Sequence, residues 1–505
     1  MKSIDQLRRE AKALRKAVAA GDTAALSRAA LEAGDRADGL KHADYLHIIA
    51  RENGFASWPR LAFAAGTVGL DRLEKQERLR HAVAHGQIWR IERLLGETPD
   101  LANGDFGLAC ALYDRATVER VLAEDPARAT AAVGAWPPVI HLAMSRFIHA
   151  RPDLEAEMLA IAGLLVAHGA DVNHAVPAMQ GGDERLSALY FALGHAGNMP
   201  LALWLLERGA DPDDGESLYH STELGHHEGL KMLLAHGADP RGTNALLRAM
   251  DFHDEVAVGL LLHAGARVDE FEGRVAIPAL HQAARRLSRR AMIRLLMDSG
   301  ADPAAVWEGA SAYGYARVFG NPELARAIEA RGEAPLLTDE EELLAGAAEG
   351  REAAPGRRID SARLAPAYRD LVGQIVPLAG RLNHLRRLAA LGVETNRPDA
   401  QGLTPIQHAG WQGLPEVVAW LLTRKPDLSR VNAYGGTLLT TIMHGSENHP
   451  ERESRDHVGC LRLALEQGVA LPRRALALAD NAEVAAFLAD WAEAHPGQVT
   501  EGLNG

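Results

Sequence analysis

A short pattern, Leu-Leu-x-x-Gly-Ala-Asp, recurs with small variations at 164–173, 205–213, 233–240, 261–269 and 295–303 of the 505-residue chain. Its glycines, Gly169, Gly209, Gly237, Gly265 and Gly300, stand 40, 28, 28 and 35 residues apart. A period in that range belongs to helical units that cannot bury their apolar faces alone and stack on copies of themselves. Each phrase carries its own stop signal: the leucines end an amphipathic helix, the glycine supplies a left-handed residue that terminates it, and the following Asp opens a turn. Upstream lies a second helical run with alanines where helices must approach closely, as at 140–144, 187–192 and 280–284. The expected fold class is all-α. Composition agrees, with aromatics at only 5 % and few β-branched runs.

The fullest copy runs Gly402-Leu403-Thr404-Pro405-Ile406-Gln407-His408-Ala409 and continues through Gly413, Glu416, Val417 and Val418 to Leu421-Leu422. It resembles the unit of the ankyrin-repeat proteins, Gly-x-Thr-Pro-Leu-His-x-Ala, then Gly-His, then Leu-Leu-x-x-Gly-Ala-Asp. Copies from about 137 to 332 often lack the Thr-Pro step, and the two 28-residue copies are expected to have shortened or absent connecting hairpins. Two further stretches, Ile49 to Pro59 and Tyr434-Gly435-Gly436-Thr437 with His444-Gly445-Ser446-Glu447-Asn448 after it, resemble features of bacterial ankyrin-repeat proteins. The resemblance implies an ankyrin-repeat solenoid of stacked helix-turn-helix units that binds a partner protein through a concave groove. It implies no settled activity, because fold does not fix function.

Along the chain, residues 1–65 read as charged amphipathic helices forming an N-terminal cap, and 66–332 as a degenerate repeat stack. The acidic and Pro-Gly stretch 333–365 reads as a joint or kink. Residues 366–505 read as a second stack with a polar insertion at 445–456 and a C-terminal cap.

The formal charge of −13 argues against a nucleic-acid-binding surface and favours a partner protein with a basic patch. Arginine clusters at 285–286, 289–290, 357–358 and 386–387 have no interleaved aromatics to stack bases. The two cysteines, Cys110 and Cys460, are 350 residues apart and fit a reducing compartment; they build no zinc site alone. No stretch approaches 18 apolar residues free of charge, so the expected location is cytoplasmic, without membrane contact. No phosphate-binding loop, His-Glu-x-x-His or strand-borne Gly-x-Ser-x-Gly is present, and no cofactor or metal is expected.

Counting back 14 residues from each unit's terminal glycine, with Gly332 closing the last unit, selects His195, Glu223, Asp251, Arg286 or its neighbour Arg285, and Val318. In the ankyrin fold this place generally faces the concave surface. His195, Glu223, Asp251 and Arg286 would form a ladder holding acid, base and cation, the candidate machinery for an enzyme or small-molecule binder. The competing reading is an ordinary variable polar face. Histidine is abundant, 22 in all, and the stretch Tyr219 to Glu228 invites a metal hypothesis. His141, His226 and His281, however, fall at steps where the fold uses histidine in turns, and His220 lies one position off that register. The second stack offers candidate ligand- or partner-binding residues in Trp411, His408, Tyr434, His444, Glu447 and Asn448. Gly445-Ser446 is expected to break the helix after His444, leaving a loop that presents Glu447 and Asn448.

Overall fold

The computed structural model describes residues 2–33, 40, 42–178, 184–269, 277–360, 362–479 and 481–501. It is 58 % helix and 3 % strand, so the all-α expectation holds. The chain divides into two compact units, Gly69–Ala305 and a second formed by Met1–Val68 with Val306–Gly505. No described helix is long and apolar enough to cross a membrane.

In the unit Gly69–Ala305, the repeated phrase acts as the sequence requires. The helices Glu155–Ala167, Met199–Leu206, Glu228–Ala235, Glu255–His263 and Arg290–Asp298 each stop just before a repeat glycine. Those glycines have φ of 96°, 86°, 91°, 104° and 93°, a region where a Cβ is strongly disfavoured. The alanine after each is buried. The Asp that follows folds an Asx turn: Asp171, Asp211, Asp239 and Asp302 each accept the backbone N–H of the residue two places on, at 2.9–3.0 Å.

A further position, four residues after the glycine, ties one copy to the next. Asn173, Asp213 and Asp269 accept the backbone N–H of Asp211, Asp239 and Asp302 at 2.7, 2.7 and 3.0 Å. Where that position is Arg241, the next copy has Arg267 in place of the aspartate, and an arginine side chain offers no acceptor for a backbone N–H.

Each phrase is preceded by a shorter helix. Ser217–Ser221 packs on Ala245–Asp251, which packs on Ala279–Arg285, while Met199–Leu206 packs on Glu228–Ala235 and Glu255–His263 on Arg290–Asp298. A two-stranded hairpin, Ala175–Pro177 with Arg185–Ser187, joins the copies 40 residues apart, and none is found among the described residues of the two 28-residue copies. Of the histidines read as structural, His141 is buried and its Nε2 meets the Val133 carbonyl at 2.9 Å.

In the other unit, Pro405–Trp411 packs on Leu438–Asn448, and Pro415–Leu422 on His457–Glu466. The segment 333–365, expected as a joint, contains the helix Asp339–Ala348, which packs against both Ala312–Phe319 and Leu382–Ala390. Its acids Asp339 to Glu342 form the first turn, at the positive end of the helix, behind a Thr338/Glu341 capping box. Glu341 also accepts the Tyr368 hydroxyl at 2.8 Å. The division between compact units falls at 305/306.

The N-terminal helices belong to the same unit as the C-terminus. Leu7, Ala11 and Leu14 of Ile4–Ala19 join Leu46, Ile49, Trp58 and Leu61 in one buried cluster, and Ala486 of the helix Ala482–Ala494 completes it. Arg15 pairs with Asp490 at 2.7 Å, and Lys12 pairs with Glu493.

His384 of Leu382–Ala390 is only 3 % exposed, and among the described residues neither ring nitrogen has a hydrogen-bond partner. Burial, with Arg381 and Arg387 nearby, lowers its pKa from 6.5 to about 4. Between those values the unfolded chain takes up a proton that the folded chain refuses, so stability falls as pH drops through this window. At pH 5 the loss from this residue is about 2 kcal/mol relative to pH 7. His384→Leu is expected to remove that share of the acid sensitivity, and to raise stability at pH 7 by about 1–2 kcal/mol by eliminating two unsatisfied buried nitrogens. Urea unfolding of both proteins at pH 7 and pH 5 measures it; equal acid losses would contradict the assignment.

Candidate functional site

Three of the four ladder residues meet in the unit Gly69–Ala305. His220 Nδ1 and Glu223 Oε2 are 2.7 Å apart, and the other Nε2 faces Glu216 at 3.4 Å. Glu223 Oε1 accepts from Arg248 Nε at 2.8 Å. Arg248 Nη1 reaches Asp251 at 3.2 Å, and Asp251 Oδ1 accepts from both Arg286 Nε and Gln282 Nε2 at 2.6 Å. Arg248 is the link that counting back from the glycines misses. Its sequence signal is local: it sits three residues before Asp251 on one helix, where side chains face each other. The guanidinium also lies over the Tyr219 and Phe252 rings, 5.6 and 4.7 Å from their centroids.

His195 stands apart from this network. Its Nε2 meets the Ala84 carbonyl at 2.9 Å, and its own carbonyl accepts from Arg146 Nε at 2.9 Å. Burial, seconded by the Arg146 charge, holds its pKa below the ordinary histidine value despite the opposing bond to Ala84.

The network binds its charges to one another. Burial pushes the Glu223 carboxyl up, but the His220 hydrogen bond and the Arg248 charge outweigh it and keep the group below its usual range. A carboxylate held ionised in this way is a poor proton donor near neutral pH. Glu216, Glu223 and Asp251 alternate with His220, Arg248 and Arg286 across three successive helix pairs, a pattern suited to fixing their stacking. Arg248→Met is expected to destabilise this unit by about 1–2 kcal/mol, leaving Glu223 and Asp251 without their shared cation. The cost should shrink in 1 M NaCl, where exposed charges are screened; thermal unfolding at low and high salt decides it.

Of the remaining candidates, His408, Trp411, Tyr434, His444 and Glu447 converge on a half-open cleft of about 1020 Å³. Its wall begins with Pro405–Trp411, started by Thr404 with proline in the first turn. Gln407 Oε1 accepts the Thr404 N–H at 3.0 Å, while its Nε2 reaches the Arg430 and Gly436 carbonyls at 3.2 Å, fixing the loop before the next helix. On the same helix, His408 Nε2 and Asp399 Oδ2 are 2.9 Å apart; burial raises the Asp399 pKa, but the His408 bond wins and keeps it ionised.

The opposite side comes from Leu438–Asn448, which carries His444 and Glu447 into the cleft. The expected break after His444 does not occur: the helix continues through Gly445, Ser446 and Glu447 to Asn448. Gly445 is needed for proximity. A Cβ there would meet the Trp411 carbonyl oxygen and stand 2.8 Å from the Trp411 Cα. That close crossing sets the Trp411 and His444 rings 5.0 Å apart.

Tyr434, 76 % exposed, lies on the cleft rim. Its loop is held by Asn432, whose Oδ1 accepts the N–H groups of Tyr434 and Gly436 at 3.0 and 2.9 Å. Asn448 does not line the cleft. Its amide nitrogen lies 2.9 Å from His444 Nδ1 and donates to the His444 carbonyl at 3.0 Å. Residues that sequence reasoning missed close the far side: Pro472, Arg474, Ala475 and the exposed Leu478. Only tertiary folding brings them to the repeat, and no local pattern signals it. Among the described residues, no group of three His, Cys, Asp or Glu side chains is placed to hold a metal ion.

No protein-family model matches the chain, and no curated protein matches it. Among solved structures, it is similar to the crystal structure of an ankyrin repeat domain from Acinetobacter baumannii AYE, with 22 % identity over 37 % of this chain and 96 % of that one, at a TM-score of 0.30.

Proposed function

We propose that the chain is an ankyrin-repeat interaction module that docks a segment of a partner protein in the cleft between Pro405–Trp411 and Leu438–Asn448. One observation carries the reading: stacked helices and an Asn432-pinned loop bring Trp411, His444 and the exposed Tyr434 to one half-open, largely apolar cavity. Rigid aromatic anchors on a fixed scaffold lose little entropy on binding, and such residues dominate interface affinity. The recurring Leu-Leu-x-x-Gly-Ala-Asp phrase supports the ankyrin assignment. The alternative of acid–base catalysis on the ladder has less behind it, because Glu223 and Asp251 are bonded to Arg248 and Arg286 and His195 lies outside the network.

The test is affinity capture of the full-length protein from its native cells with quantitative mass spectrometry, comparing wild type, Tyr434→Ala, Trp411→Ala and the ladder variant Arg286→Ala. The expected result is a protein partner lost at least fivefold with the two cleft variants and retained with Arg286→Ala. Identical partner sets in all four, or no protein partner beside a small molecule that raises the melting temperature, would overturn the reading.

A further inference from the structure

The segment 449–456, the rest of the polar stretch that the sequence sets apart, clamps the turn that follows Trp411. His449 Nε2 lies 2.9 Å from Gln412 Oε1, and the Asp456 N–H donates to the Gly413 carbonyl at 3.1 Å. His457 Nε2, just after the segment, meets the Trp411 carbonyl at 3.1 Å. The His449 and Trp411 rings stand 6.1 Å apart. His449 itself is 7 % exposed, and its other nitrogen, Nδ1, accepts the backbone N–H of Glu451 at 3.1 Å. A backbone N–H can only donate, so Nδ1 carries no proton here. The ring is neutral, with its one hydrogen on Nε2 towards Gln412.

We propose that His449 is a pH latch on the docking cleft: a proton on Nδ1 releases segment 449–456 and with it the Trp411 turn, so the cleft is formed at neutral pH and loosens in mild acid. The inference rests on the docking function above. A proton on Nδ1 sets one donor against another, the Glu451 N–H, and the ring must leave its place to be hydrated. The surroundings oppose the charge. Burial weighs most, then Arg455; Glu451 favours the charge, but its carboxylate is bound to Arg455, and His457 opposes it again. Arg452 reaches the His449 carbonyl at 3.5 Å, and the turn after Pro405–Trp411 faces the ring with the uncharged Trp411 and Gln412. Together these hold the His449 pKa below its ordinary 6.5. Once released, the ring regains that ordinary value, so the open form binds more protons and gains as pH falls. The other two histidines around Trp411 differ. His457 keeps its bond to the Trp411 carbonyl when charged, because the added proton goes to Nδ1, and His444 is exposed, so its charge stays hydrated.

The test is hydrogen exchange with mass spectrometry on the full-length protein at about pH 7.5 and 5.5, each rate divided by the intrinsic rate at that pH, with the helix Ala312–Phe319 of the same unit as reference. A single released histidine of ordinary pKa shifts an opening equilibrium by at most about tenfold over this range. Exchange in 411–414 and 449–457 of the wild type is therefore expected to rise about three- to tenfold on acidification, with the reference unchanged. His449→Gln cannot take up the proton, and its two rates should agree within about twofold, whether the segment is tight or already loose at neutral pH. His457→Gln should keep the rise. A flat wild-type response, an equal rise in the reference helix, the same rise in His449→Gln, or its loss in His457→Gln overturns the latch; the first two do so without any variant. None of these results touches the docking function, which partner capture at neutral pH tests by itself. Capture indifferent to Trp411→Ala and Tyr434→Ala, beside an intact acid response, would overturn docking at the cleft and leave the latch as a property of the fold.

Discussion

Gly445→Ala is expected to destabilise the protein by about 3 kcal/mol, the upper part of the range for overpacking, and to remove ligand binding at the cleft. In most helices the change from glycine to alanine is favourable by up to about 1 kcal/mol, because alanine loses less backbone entropy. Here the sign reverses. The added methyl would meet the carbonyl oxygen, Cα and carbonyl carbon of Trp411, and these are backbone atoms that no rotamer change can move. Either Leu438–Asn448 withdraws from Pro405–Trp411 or one of them bends, and both responses separate the Trp411 ring from His444. A neighbouring control isolates the cause: Gly435→Ala, on the rim where a Cβ meets nothing within 4 Å, should not produce this clash, although its φ of 76° adds a modest strain. Thermal unfolding with tryptophan fluorescence measures both variants. A melting temperature for Gly445→Ala at or above that of wild type would refute the close-crossing account.

Glycine was readable in the sequence where its role is local and ambiguous where its role is contact. Gly169, Gly209, Gly237, Gly265 and Gly300 each follow a Leu-Leu pair and precede Ala-Asp or its variant, and the left-handed backbone they supply is decided within those few residues. Gly445 beside Ser446 gives the same local signal as a helix break, yet its reason lies 34 positions away in Trp411, which no periodicity reveals. The candidate site divides likewise. Glu223, Asp251 and Arg286 lie one repeat apart, so a fixed count from the glycine finds them; Arg248, which joins them, is off that register, and His195 keeps the count but turns to the Ala84 carbonyl instead. Trp411, Tyr434, His444 and Glu447 came from motif and spacing, whereas Arg474 and Leu478 reach the cleft through the final turn of the chain.

Ala486→Asp is expected to destabilise the N-terminal helices along with the C-terminal one, with a cost on the order of 3 kcal/mol or more for an unpaired buried carboxylate. Ala486 is 5 % exposed and belongs to the cluster built by Leu7, Leu14, Leu46, Ile49, Trp58 and Leu61, which come from the first 65 residues. The sequence reads that region as a cap for the neighbouring repeats; in the structure its apolar face is completed by a helix more than 400 residues away in the chain. The ion pairs Arg15–Asp490 and Lys12–Glu493 flank this contact, but both are partly solvent-exposed and each should contribute about 1 kcal/mol or less, so Arg15→Ala is predicted to have a small effect. Burial of the small apolar face therefore holds the two ends together, and charge only orients them. Hydrogen exchange followed by mass spectrometry separates the outcomes: Ala486→Asp should accelerate exchange in 4–19 and 42–52 as much as in 482–494. Acceleration confined to 482–494 would mean that the N-terminal helices are stable without their C-terminal partner.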